Sequence, residues 1–177
     1  MLYIITPCYN PQNLESISPT IPNGAKWIIF HHKKKLPKGL KASIIKCSYQ
    51  DQDKNLNYIL DSVGFNDEDK ILYHLDNNII HPSLYDNIYP HLSRDFSIMQ
   101  WGQTFKDGVI RLPPVSYCIP GSLDVSSFLI SWKYNNNVRF KNVDDMFVNY
   151  ACECHTNGGC LMIQNYISYY RYLGDTK

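Results

Sequence analysis

Three short stretches carry residue types suited to holding a nucleotide. Thr6-Pro7-Cys8-Tyr9-Asn10-Pro11 follows the apolar run Leu2 to Ile5, His31-His32 and a lysine run follow Trp27 to Phe30, and Asp76-Asn77-Asn78 ends the run that starts at Lys70. A tyrosine can stack on a base, an asparagine can hydrogen-bond its edge, and a carboxylate can touch a ribose or a metal that bridges phosphates. In open α/β sheets ligands bind beyond the carboxyl ends of the strands, so strand-end positions are the ones to inspect.

The elements that must position these residues are legible as periodicities. Leu2 to Thr6, Lys26 to His31, Ser43 to Ser48 and Lys70 to Leu75 read as strands, and the first, second and fourth are apolar nearly throughout, as in parallel strands covered on both faces. Asn55 to Val63 carries Leu56, Ile59, Leu60 and Val63 at helical spacing, so the opening third reads as β-α-β-β-α-β. Pro82 opens a helix-like segment with Leu84, Tyr85, Ile88 and Tyr89, and Phe96 to Trp101 returns as a strand. Beyond it, Gly108 to Leu112 reads as a short strand ended by Pro113-Pro114, and Leu123 to Trp132 alternates towards an apolar stretch. Asp144 to His155 reads as a helix closed by Asn157-Gly158-Gly159, Cys160 to Gln164 as a strand, and Tyr166 to Leu173 as an aromatic tail.

The chain has 177 residues, of which 44% are hydrophobic and 19% charged, enough for one packed core and no case for disorder. One domain over 1–177 is expected. With 17 Lys+Arg against 16 Asp+Glu the formal charge is +1, so the electrostatic footprint of a nucleic-acid binder is missing. No apolar run approaches the roughly twenty residues of a spanning helix, so no integral membrane association is expected. Met1 to Thr6 lacks the pattern of a signal peptide, and a cytoplasmic protein is expected. The six cysteines are scattered, and free thiols are expected. Cys152 and Cys154 are two apart in a helical segment and point to different faces, which argues against a zinc site with His155 and Cys160.

Several stretches resemble glycosyltransferases of the GT-A fold, in particular family-2-like and glucuronyltransferase-like ones. Ile4-Ile5-Thr6-Pro7-Cys8-Tyr9-Asn10 is similar to the opening strand and base-holding turn of that family, and Lys54-Asn55-Leu56-Asn57 to the helix start that follows. Tyr73-His74-Leu75-Asp76-Asn77-Asn78-Ile79-Ile80-His81-Pro82 resembles its acidic "DxD" motif, and Ile167-Ser168-Tyr169-Tyr170-Arg171-Tyr172-Leu173 its closing segment. Pro120 to Ile130 resembles the acceptor-side segment, and Val143-Asp144-Asp145-Met146-Phe147 the acidic helix start. The motif departs from the family in having a single aspartate, with an amide where the metal-binding carboxylate is usual, and His31-His32 stand where an aspartate often binds uracil.

The resemblance implies an α/β GT-A (Rossmann-like) three-layer sandwich with a mostly parallel central sheet. Its nucleotide-sugar-binding half would span about residues 1–100 and its acceptor-side half about 101–177. It also implies a transferase that moves a hexose from a UDP-sugar to a carbohydrate or glycoconjugate hydroxyl with Mn2+ or Mg2+. The donor would meet Thr6, Pro7, Tyr9, Asn10, His31, Asn55, Leu75 and Asp76, and the metal Asp76, Asn77 and Asn78. Trp101 and Asp124 would face the acceptor. A carboxylate must take the proton of the acceptor hydroxyl, and Asp144 or Asp145 is the candidate; with a base and no protein nucleophile, inversion is the expected outcome. Each of these residues also has a structural alternative. Asp76, Asp144 and Asp145 suit helix caps, Tyr9 and Asn10 suit a turn, and the lysines 33–35, 38 and 41 suit a solvated loop. Two rival functions remain: a non-catalytic nucleotide-sugar or carbohydrate-binding protein, and a nucleotidyltransferase-like α/β enzyme. The second lacks support from a Gly-rich phosphate loop.

Overall fold

The structure is a computed structural model that describes residues 1–32, 34–48, 51–114 and 123–174. Its spine is one eight-stranded sheet. The strands are β1 (Leu2–Pro7), β2 (Lys26–His31), β3 (Ser43–Lys46), β4 (Lys70–Tyr73), β5 (Ile98–Thr104), β6 (Ile110–Leu112), β7 (Phe128–Ser131) and β8 (Cys160–Tyr169). They lie in the order β3-β2-β1-β4-β7-β5-β6, with β8 beside β5. The pairs β1 with β2, β1 with β4, β2 with β3 and β5 with β8 are parallel, while β7 runs antiparallel between β4 and β5. The carboxyl ends of β1, β2, β4, β5 and β8 therefore share one rim of the sheet. This is the expected mixed α/β sandwich with a mostly parallel sheet.

Alternation along the strands sends side chains to both faces, and each face has its own core. Tyr3, Ile5, Ile28, Phe30, Ile71 and Tyr73 meet Leu56, Ile59 and Leu60 of helix α2 (Gln52–Ser62) and Tyr150, Ala151 and Cys154 of α5 (Met146–Thr156). The numbering includes three short helices, α1 (Leu14–Ile17), α3 (Leu84–Ile88) and α4 (Trp132–Asn135). On the opposite face Leu2, Ile4, Trp27, Ile29, Leu72 and Met99 meet Leu14 and Ile17 of α1 and Leu84 and Ile88 of α3. Burying large aliphatic side chains at about 1.5–3 kcal/mol each is what drives such an arrangement. Tyr73 sits at the centre of an aromatic cluster, edge-on to Phe140 and Tyr150, which stack on each other at 4.0 Å.

The sequence reading of the first strands and of α2 matches the structure to within a few residues. The aromatic tail differs: Tyr166 to Tyr169 are not separate from the strand before them but complete the ten-residue β8. No helix among the described residues is long and apolar enough to cross a membrane. Cys8, Cys47, Cys154 and Cys160 are free thiols, but Cys152 is disulfide-bonded, which corrects the expectation of free thiols throughout. Cys118 lies outside the described residues, as do Pro120 to Ser122 of the acceptor-side resemblance. No group of three or more His, Cys, Asp or Glu side chains that could hold a metal ion occurs among the described residues.

Candidate functional site

The first and fourth strands meet at Asp76. Its Oδ2 accepts the backbone N–H of Tyr9 at 2.6 Å and that of Asn10, while Asn13 Nδ2 donates to the Asp76 carbonyl at 2.9 Å. Asp76 is almost fully buried. Burial pushes its carboxyl above the usual carboxylate range; the N–H groups of Asn10 and Tyr9 and the charge of Lys34 pull it back. Asp76 thus holds the turn after β1 in place, which is neither an open ligand position nor the helix cap that its sequence context suggested. The turn presents Tyr9, 46% exposed and so able to offer a ring face to a base.

His31 ends β2 beside this turn, since Phe30 pairs with Pro7 and its carbonyl accepts the Cys8 N–H at 2.9 Å. The backbone N–H of Lys34 points at His31 Nδ1 at 3.3 Å, which leaves Nε2 as the protonated nitrogen of a neutral ring. Burial, Lys46 and His32 all hold the His31 pKa below its ordinary value. Lys34 acts on both Asp76 and Cys8, whose buried thiol is pushed up to about 12 and stays inert. The lysine run was read from sequence as a solvated loop. Its member Lys34 is exposed, as that reading expects, and its backbone N–H lies beside His31 at the end of β2.

Other predicted donor residues are structural. Thr6 is buried, with Oγ1 accepting from Trp27 Nε1 at 3.0 Å, and Pro7 and Asn55 are buried as well. Of the three expected metal ligands, Asp76 Oδ2 is engaged by the turn and Asn78 Oδ1 accepts the Tyr172 N–H at 2.8 Å. Asn77 Oδ1 is buried without a hydrogen-bond partner. With Asp76 Oδ2 and Asn78 Oδ1 each taken by backbone N–H groups and Asn77 Oδ1 buried, these three residues present no open ligand set for a resident divalent ion.

A second group forms a cleft of about 330 Å³ lined by Leu75, Arg111, Leu123, Asp124, Asp145 and Phe147 among others. Leu75 joins it to the acidic loop through its neighbour Asp76. Asp145 heads α5 in a left-handed conformation, φ 54°, and makes no side-chain cap, so the capping alternative is not realised there. Asp144 does not line the cleft. Asp124 does, ion-paired to Arg111 at 3.0 Å, a partner for which the sequence offered no signal. Trp101 is corrected: it is 1% exposed in the middle of β5, with Nε1 donating to the Ser126 carbonyl at 3.0 Å, and has no face for a sugar.

Solved proteins share this architecture. A 4-diphosphocytidyl-2C-methyl-D-erythritol synthase superposes with a TM-score of 0.61 at 10% identity, over 99% of this chain and 93% of that one. The inositol-1-phosphate CTP transferase from T. maritima gives 0.54 at 10% identity, over 94% and 83%. The bifunctional IspDF from Campylobacter jejuni gives 0.52 at 11%, with 93% of this chain covering 49% of that one. The fold is shared with these three proteins. No family model matches the sequence, and no curated protein does. At these identities the likeness is one of fold, and the activity has to be argued from the site.

Proposed function

We propose that the chain is a transferase acting on a nucleotide donor, moving a hexose from a UDP-sugar to a carbohydrate hydroxyl. The observation that carries this is the turn Thr6 to Pro11, held by Asp76, which presents Tyr9 and brings His31 and Lys34 to one rim of the sheet. Tyr9 stacks on the base, and His31 Nε2 donates to a base carbonyl. Lys34 offsets charge on the diphosphate as it departs. In the adjoining cleft Asp145 accepts the proton of the attacking acceptor hydroxyl, which adds to the sugar's anomeric carbon as the UDP oxygen leaves with its bonding electrons.

A second reading is nucleotidyl transfer from a nucleoside triphosphate to a sugar phosphate. It is favoured by the fold neighbours, one named for CTP transfer, and by His31, whose Nε2–H suits the N3 acceptor of cytosine. It is disfavoured by the turn after β1, where Pro7, Cys8, Tyr9, Asn10 and Pro11 stand without a glycine. Incubation with UDP-hexoses, and separately with CTP or UTP plus hexose 1-phosphates, decides. Release of UDP from the first set supports glycosyl transfer, and release of pyrophosphate from the second supports nucleotidyl transfer. Binding of UDP with no release in either set would make the chain a binding protein.

A further inference from the structure

At the carboxyl ends of β5 and β8 a cavity of about 630 Å³ is lined by Phe105, Lys106, Asp107, Tyr170, Arg171 and Tyr172, with Gly174. None of these has a role in the donor site, yet two bonds tie the cavity to it. Tyr172 N–H donates to Asn78 Oδ1 at 2.8 Å, and Leu173 N–H to the Asn77 carbonyl at 2.9 Å. The cavity therefore borders the acidic loop at Asn77 and Asn78, whereas Tyr9 is joined to Asp76.

Its chemistry is specific. Phe105 is 40% exposed and perpendicular to Tyr170 at 5.7 Å, so part of its ring is open to solvent beside the cavity. The tyrosine rings carry cations instead: Lys106 lies 4.6 Å over Tyr172, and Arg111 and Arg171 lie 3.7 Å and 4.8 Å from the centre of Tyr170. Arg171 takes a left-handed conformation, φ 48°, uncommon for a residue other than glycine. The lining holds one carboxylate, Asp107, whose Oδ1 accepts the Val109 N–H at 3.1 Å. A partly open aromatic ring matches the C–H face of a pyranose, and fixed cations match a carboxylate or phosphate.

We propose that this cavity binds a sugar ring of the acceptor, one that carries a carboxylate or a phosphate. This rests on the glycosyl-transfer reading for the word acceptor, but the binding itself does not. It moves the acceptor contact from the buried Trp101 to Phe105 and the cations beside it.

Saturation-transfer NMR with methyl glucuronide, methyl glucoside 6-phosphate and methyl glucoside as probes tests it, alongside UDP calorimetry on the same samples. The two anionic probes should give stronger signals than methyl glucoside, and the stronger of the two identifies the group. Phe105→Ala should weaken them about three- to ten-fold, the size of one lost aromatic contact. Lys106→Gln should remove the preference for the anionic probes. Both variants should bind UDP as the wild type does. Signals that are absent, equal for all three probes, or indifferent to Phe105→Ala would overturn the proposal. If the wild type binds no UDP while the Phe105-dependent signal persists, the donor reading falls and the sugar subsite stands.

Discussion

Asp76 at the end of β4 accepts a 2.6 Å hydrogen bond from the backbone N–H of Tyr9, sixty-seven residues earlier at the end of β1. One carboxylate therefore fixes the turn that would hold a base and at the same time fills the position where the acidic motif would meet diphosphate. A sequence reading that places Asp76 at a strand end, outside the core, leads to an Ala variant with an intact fold. The burial of Asp76 reverses that expectation.

Asp76→Ala leaves the Tyr9 and Asn10 N–H groups without their acceptor and should cost about 1–3 kcal/mol of stability along with UDP binding. Asp76→Asn keeps an oxygen for the two donors and sheds a buried charge, so it should melt within a few degrees of wild type. Thermal melts of both variants check this. Equal melting of Asp76→Ala and wild type would show that the turn is held by other contacts.

His74 predicts a pH response. It is fully buried beneath the acidic loop, its Nε2 hydrogen-bonded to the Asn78 carbonyl at 3.1 Å, and burial lowers its pKa from 6.5 to about 4. The unfolded chain then binds the proton first, so stability is complete above pH 6.5 and falls as the pH drops towards 4, by on the order of 3 kcal/mol. Asp76, raised by burial, opposes this in the carboxylate range. Urea unfolding at several pH values should show the fall, and His74→Gln should flatten it between pH 6.5 and 4. An identical slope in that variant would assign the loss to other groups.

Gly102 marks a close approach between β5 and β8. A Cβ there would stand 2.6 Å from Tyr166 Cδ1 and 2.9 Å from Cε1, at a point where the β5 to β8 register shifts. Gly102→Ala should therefore destabilise by about 1–3 kcal/mol through overpacking. The closest clash is with the Tyr166 ring, Pro114 Cδ following at 3.0 Å, so Gly102→Ala should cost less in a Tyr166→Ala background. Additive losses in the double variant would place the strain at Pro114 or in the β5 backbone instead.

Much of this fold was legible because its evidence is local. Apolar runs such as Trp27 to Phe30 and the spacing of Leu56, Ile59 and Leu60 each report burial within a few residues. The site was legible only as a set of strand ends. Which strand-end groups remain available depends on partners far along the chain: Asn78 is taken by Tyr172, and Trp101 is covered by the segment that holds Ser126. Periodicity carries no record of such pairings. Arg111 was missed for the same reason, since a cation on a short edge strand looks solvated until the fold brings a carboxylate to it.

The remaining choice in sequence was between Asp144 and Asp145, and the structure separates them. Only Asp145 lines the cleft shared with Asp124 and Leu75, and its side chain makes no cap to α5. If it takes the acceptor proton, Asp145→Asn should lower transfer by about two to four orders of magnitude while leaving UDP affinity unchanged. Asparagine also tolerates the left-handed backbone at this position, so a fall in activity could not be blamed on misfolding. Asp144→Asn should keep near-normal transfer, because its backbone carbonyl, which accepts from Asn149 Nδ2 at 2.8 Å, is untouched. Asp124 is already paired with Arg111, and Asp124→Asn should disturb the cleft's charge and so raise the acceptor KM more than it lowers kcat. Steady-state rates and UDP affinities of the three variants, measured together, decide the assignment: full activity in Asp145→Asn with a collapse of kcat in Asp124→Asn would move the base to Asp124.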